Sequence, residues 1–132
     1  MSRRLSREHA LQILYQCDLR GEAAASAEPR MVPADDFTEN LVQGVIARVG
    51  EIDRRIAGHS EHWRLDRMPV VDRNILRLAV FELLAQDTPA AVVIDEALEL
   101  ARRFSNEESV AFLNGVLDAV RKDLEKVTAG AG

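Results

Sequence analysis

The apolar positions of this chain recur three and four residues apart for most of its length, and they outline five long helices with little sign of strand-like alternation. The first covers about Arg4 to Leu19, with Ala10, Ile13, Leu14 and Cys17 in one phase and Gly21 as a left-handed stop. A second starts at Asp35 or Asp36, which supply capping oxygens, and runs to about Ala57. Its stripe is Phe37, Leu41, Val45, Val49, Ile52 and Ile56. Gly58 ends it, and residues 59–66 make a connection or a short helix. The third long helix follows Pro69, taken as a first-turn residue, and reaches about Ala85. It is apolar on most sides, which marks it as the central helix of a bundle. Thr88 and Pro89 launch a fourth helix with the stripe Val93, Ala97, Leu100, Ala101 and Phe104. Ser105-Asn-Glu-Glu108 has the form of a capping box, in which Glu108 reaches back to the Ser105 amide, and it starts the last helix. The expected fold class is all-α: a compact bundle of about six to seven helices in two packed halves. One domain spans 1–132, with a mobile loop at 21–34, rich in small residues and prolines, and a frayed tail at 126–132.

Two helices carry residues that one buried stripe does not explain. In the last helix, Leu113, Val116, Leu117, Val120 and Leu124 share a face, and Phe112 sits about a quarter turn off it. Glu108, one turn earlier, lies on the same flank as Phe112. A ring beside a carboxylate in that position is either a second core contact or a recognition surface. In the first helix, Arg4, Glu8, Leu11 and Tyr15 form a second stripe opposite the core one. Leu11 is expected inside the monomer, whereas the Tyr15 hydroxyl suits a wet interface. Arg3, Arg4 and Arg7 cluster where the helix dipole favours negative charge, so local stability does not ask for them. They are either a phosphate-binding cluster or an irregular basic N-terminus without consequence. Asp72, in the first turn of the central helix, is explained by the dipole alone and is expected to be exposed, and Arg73 and Arg77 would form a solvated ridge.

Composition narrows the function classes. Lys and Arg number 17 against 22 Asp and Glu, a net charge of −5, so any nucleic-acid binding must use a local patch, a basic partner or both. A single cysteine excludes an internal disulfide framework, and its phase makes Cys17 a core thiol rather than a nucleophile. His59 and His62 lack a third ligand nearby and are read as exposed polar residues, so no metal is expected. Asp95 and Glu99 are explained by ion pairs with Arg102 and Arg103. No nucleophile elbow or phosphate-cradling loop is present, so neither catalytic residues nor a cofactor are expected. No stretch approaches the roughly 20 apolar residues of a membrane span, and the basic start has no apolar run behind it. The expected location is the cytoplasm, with no membrane partner.

Four segments together resemble a known family: Arg4-Leu-Ser-Arg-Glu-His-Ala-Leu-Gln-Ile-Leu-Tyr-Gln16, Val71-Asp-Arg-Asn-Ile-Leu-Arg-Leu-Ala79 with Glu82-Leu83, Ile94-Asp-Glu-Ala-Leu-Glu-Leu-Ala101, and Phe112-Leu-Asn-Gly-Val-Leu-Asp118. In this order and spacing, over about Arg3 to Ala119, they resemble the transcription antitermination factor NusB family, and Trp63 stands where the family often has an aromatic. The resemblance implies an all-helical fold and a role without catalysis. It implies binding of the boxA element of ribosomal RNA leader transcripts together with the ribosomal protein NusE, within an RNA polymerase antitermination complex. Carried over by position, Arg3, Arg4, Arg7, Glu108 and Phe112 are the implied RNA-binding residues, and Tyr15 and Asp72 the implied partner-binding ones. Two departures are visible: Ser105 stands where the family often has glycine, and Leu5 where a third consecutive arginine can occur. Two other readings stay open. One is a protein-binding helical module that self-associates as a homodimer through the Tyr15 face. The other is a stand-alone relative of the N-terminal domain of ribosomal RNA cytosine methyltransferases; an enzyme of that kind would bind S-adenosylmethionine, and no such binding is expected here.

Overall fold

The computed structural model describes residues 1–20, 32–60 and 64–131, and every regular element among them is helical. In chain order these are α1 (Arg3–Arg20), α2 (Asp36–Ala47), α3 (Val49–Ala57), a 3-10 turn at Leu65–Arg67, α4 (Val70–Ala85), α5 (Ala90–Phe104) and α6 (Glu107–Ala131). The loop expected at 21–34 lies largely outside the described residues, as do its Gly21 stop, His62 and Trp63.

An apolar stripe wide enough to surround a helix must be covered from several sides, and α4 is covered by every other long helix. Ile75, Leu76 and Val80 of α4 are fully buried in one core. That core includes Val42 and Val45 of α2, Ile52 and Ile56 of α3, and Leu113, Leu117 and Val120 of α6. The helices α1–α3 form one half of the bundle and α4–α6 the other, meeting along α4. Close approach between α2 and α4 requires a bare backbone at Gly44, because a Cβ there would lie 2.1 Å from the Phe81 ring.

Four boundaries differ from the sequence reading, each for a local reason. The helix expected over 35–57 is broken at Arg48, where φ is −120° and the amide is shared between the Gly44 and Val45 carbonyls. No proline marks the break, and the sequence stripe runs through it in phase although its member Val49, just after the break, is 38% exposed. Pro69 and Pro89 stand just ahead of their helices rather than inside the first turn. The left-handed residue that ends α4 at the expected place is Gln86, at φ 61°. Finally, α6 remains helical through Ala131, past the point where fraying was expected.

Polar contacts fix how α1 lies on the rest. Arg7 donates two hydrogen bonds of 2.8 Å to the Glu82 carboxylate of α4, and both residues are only 6% exposed. At the start of α2, Asp35 accepts from the Thr38 amide at 2.8 Å, the Thr38 hydroxyl at 2.7 Å and the Ser6 hydroxyl at 2.8 Å. The cap of α2 is thereby tied to α1. These hydrogen bonds, Thr38 foremost, lower the Asp35 pKa to about 2.

Two outcomes follow in urea unfolding followed by circular dichroism. Arg7→Met strands the Glu82 carboxylate and should cost about 3–5 kcal/mol, much of which returns when Glu82→Leu is added. The pKa of Asp35 is depressed on folding, so its contribution is present above the unfolded value of about 3.9 and is lost as pH falls through about 2. The stability gap between wild type and Asp35→Ala should therefore narrow over that window. A gap independent of pH would contradict the assignment.

Candidate functional site

The basic start of α1 is mostly consumed by acids of neighbouring helices. Arg4, exposed at its tip, donates two hydrogen bonds of 3.1 Å to Glu96 of α5, which raise its pKa and lower that of Glu96. One turn on, Glu8 pairs with Arg103, so two side-chain ion pairs tie α1 to α5. Arg3 has no carboxylate partner among the described residues; its guanidinium lies 3.9 Å from the centroid of the Phe37 ring. Arg7 departs from the sequence expectation of an RNA-facing residue. It is buried, and Glu82 occupies its planar fork. Its charge serves the docking of α1.

Residues from α4 and α6 line a cavity of about 460 Å3. Phe112, Glu108, Ser109 and Gly115 of α6 line it, together with Asp72 and Pro69 at the start of α4 and His59 after α3. Asp72, expected to be exposed toward a partner, is 1% exposed because the first turn of α6 packs over it. Its Oδ2 accepts the Ser109 hydroxyl at 2.6 Å, while its Oδ1 has no hydrogen-bond partner. The sequence assigned Asp72 to one surface and Phe112 to another; the fold puts them in one cavity.

Glu108 is not the capping acid. The Ser105 amide already donates to the Ala101 carbonyl at 2.8 Å, and Asn106 Oδ1 caps α6 by accepting from the Ser109 amide at 2.8 Å. Released from that duty, Glu108 stands exposed at the cavity. Phe112 is half-buried against the core and also lines the cavity. His59, read as exposed, is partly buried, pairs with Asp123 of α6 and lines the same space.

A second groove, of about 320 Å3, lies between α1, α4 and α5 and is lined by Leu11, Gln12, Tyr15, Gln16, Val71 and Phe104. Leu11 is buried as expected, and Tyr15 is 38% exposed. Phe104, assigned to the core stripe of α5, is 39% exposed beside it. The last turn of α5 carries the ring past the end of the core, which a stripe of constant phase does not show. Arg73 and Arg77 form no solvated ridge. Arg73 grips Asp18 with two hydrogen bonds of 2.6 Å, and Arg77 bridges Asp18 to Asp53. Burial opposes the Asp18 charge, but hydrogen bonds from Arg73 and Asn74 and the Arg77 charge outweigh it and hold its pKa below the usual range.

Cys17 is packed partly against the core. No group of three or more His, Cys, Asp or Glu among the described residues could hold a metal ion. An aromatic-walled cavity, a cation–aromatic corner and an apolar groove on an all-helical scaffold are the surfaces of a binding protein.

Comparison with known proteins gives that class its family. The model of the NusB family matches residues 4–122. A transcription antitermination protein NusB from Solibacter usitatus (strain Ellin6076) is 51% identical over 137 residues, covering 97% of this chain and 94% of its own. The structure of T. maritima NusB superposes with a TM-score of 0.83 at 36% identity, covering 92% of each chain. A crystal structure of antitermination factors NusB and NusE in complex with dsRNA superposes with a TM-score of 0.79 at 31% identity, covering 92% of this chain and 96% of that one. The chain belongs to the NusB family of transcription antitermination factors, which are not enzymes.

Removing the hydroxyl that holds Asp72 should be felt in the fold. Ser109→Ala leaves a buried carboxylate without its partner and should lower stability by about 1–3 kcal/mol in urea unfolding. An unchanged midpoint would mean that Asp72 finds another donor.

Proposed function

We propose that this chain binds the boxA element of ribosomal RNA leader transcripts together with NusE, and supports processive transcription within an RNA polymerase antitermination complex in the cytoplasm. The observation that carries the reading is Phe112, half-buried yet open to a cavity, in a chain whose fold matches a NusB–NusE–dsRNA complex. An aromatic side chain fixed by the core is a ready platform for an unstacked base. Arg3 and Arg4 are the exposed cations of the N-terminal corner, and Glu108 sits where it can accept from a base amino group while repelling phosphate. Arg7 enters this scheme by holding α1 in place, and Asp72 as the buried neighbour of Phe112.

Tyr15 and Phe104 form the surface offered to NusE. Apolar rings with a hydroxyl and flanking glutamines suit a protein interface better than a phosphate backbone. A basic partner would also offset the net charge of −5, and Arg3 and Arg4 alone give a log-log salt slope of only about −1.4 on single-stranded RNA. A homodimer through the same groove would compete with NusE. No helix among the described residues is long and apolar enough to cross a membrane.

Fluorescence anisotropy of labelled boxA RNA and a scrambled control, with this protein alone and with NusE, tests the proposal. The expected result is selective binding that tightens with NusE. Phe112→Ala should weaken it about 5- to 150-fold, the equivalent of about 1–3 kcal/mol for one stacked base. Glu108→Gln should strengthen it. Equal binding of both RNAs with NusE present would overturn the reading.

A further inference from the structure

We propose that His59 is a further RNA-binding residue of this chain: protonated, it gives the Phe112 cavity a positive charge that no other described residue of its lining supplies, so RNA binding takes up a proton. The inference rests on the RNA-binding reading and adds a control by pH to it.

The cavity is acidic. Glu108 stands exposed at it, Asp72 is buried in its lining, and none of the described residues that line it is a lysine or arginine. A phosphate backbone brought to Phe112 therefore meets carboxylates, with nothing to offset them unless His59 is charged. Histidine is the side chain that ordinarily changes charge in the neutral range. His59 reaches the cavity from just beyond α3, and its Nε2 pairs with Asp123 of α6, 64 residues away in the chain. That contact holds the ring at the cavity while leaving its side chain 27% exposed, open to solvent and to a ligand.

The pairing decides what the ring can do. A carboxylate only accepts, so Nε2 carries the hydrogen that faces Asp123. Nδ1 is then an acceptor in the neutral ring and a donor in the imidazolium, and a phosphate oxygen accepts only from the second. With Asp123 ionised, the pair carries a charge of −1 when His59 is neutral and none when it is protonated. The cations nearby do not take this role. Arg55, one turn back on α3, pairs with Glu51 at 3.6 Å, and Lys122, next to Asp123, pairs with Asp118 at 3.2 Å. Arg64, ahead of the 3-10 turn that packs on α3, pairs with Asp66 at 3.3 Å. Arg67 of that turn and Lys126, one turn beyond Asp123, are exposed and stand outside the lining.

The test is fluorescence anisotropy of boxA RNA with the full chain and NusE at pH 8 and pH 6. Wild type should tighten about fivefold at pH 6 relative to His59→Asn, the factor that one unit charge about 4 Å from a phosphate gives in water. His59→Lys, a fixed cation that can still meet Asp123, should bind at pH 8 as wild type does at pH 6 and lose the difference between the two. A histidine that only ties α3 to α6 would change the urea midpoint and leave this pH profile unmoved. By linkage, RNA should raise the midpoint of the His59 ring titration, followed by NMR in the wild-type protein, by about 0.7 pH unit. That measurement decides the matter if a variant fails to fold. Selective boxA binding with the same pH profile in wild type and His59→Asn, or an unmoved ring titration, overturns the role of His59 and leaves the RNA-binding reading standing. No selective boxA binding at either pH overturns both.

Discussion

The ion pair between Arg7 and Glu82 is the contact on which the arrangement of this molecule depends. It lies inside the protein, where a lone charge is strongly unfavourable, and its two parallel hydrogen bonds allow little freedom of orientation. Apolar stripes bring α1 and α4 together, but a stripe alone tolerates sliding and rotation. The fork fixes both. With α1 set, Ser6 meets the cap of α2, Arg4 and Glu8 meet α5, and Asp18 meets Arg73, Asn74 and Arg77. Arg77 passes the constraint on to Asp53 of α3, and Asp72 passes it to Ser109 of α6. The central helix thus holds its neighbours through polar contacts around an apolar core.

This arrangement shapes the surfaces left over. Most of the cations on α1 and α4 face acids of the same chain, which suits an acidic protein that needs defined docking more than a strong field. What remains is local. Arg3 rests on Phe37 at one end, the Tyr15 and Phe104 groove lies along α1, and the Phe112 cavity sits where α4 and α6 begin. Asn106 caps α6, and the first turn of that helix lies across Asp72. A buried acid, an exposed acid and an aromatic ring thus stand around one space.

The sequence made the helices legible because their stripes repeat strictly, and it singled out Phe112 because its phase conflicts with its own helix. Leu11 and Tyr15 were likewise legible from the second stripe of α1. What periodicity could not show were contacts between residues distant in the chain. Arg7 and Asp72 both looked exposed, Asp72 because the dipole explains an acid in a first turn and Arg7 because it belongs to a basic cluster at the chain start. Their partners, Glu82 and Ser109, lie 75 and 37 residues away. The break at Arg48 left no trace because the stripe runs through it in phase. Glu108 fitted a capping motif that Asn106 fulfils instead, and the two signals overlap in the same four residues. Gly115, read only as part of a motif, could have been questioned from sequence as a glycine inside a long helix.

The long reach of the contacts made by α1 has a consequence for synthesis. Glu82, Glu96 and Arg103 lie 75, 92 and 95 residues beyond their partners on α1. At about 5–20 residues per second, the first helix leaves the ribosome roughly 4–19 s before the helices that receive it. During that interval Ile13 and Leu14 have no core to enter, and Arg7 has no carboxylate. A nascent α1 has Arg3, Arg4 and Arg7 all solvated, and only the arrival of α4 and α5 pairs Arg7 and Arg4 with acids.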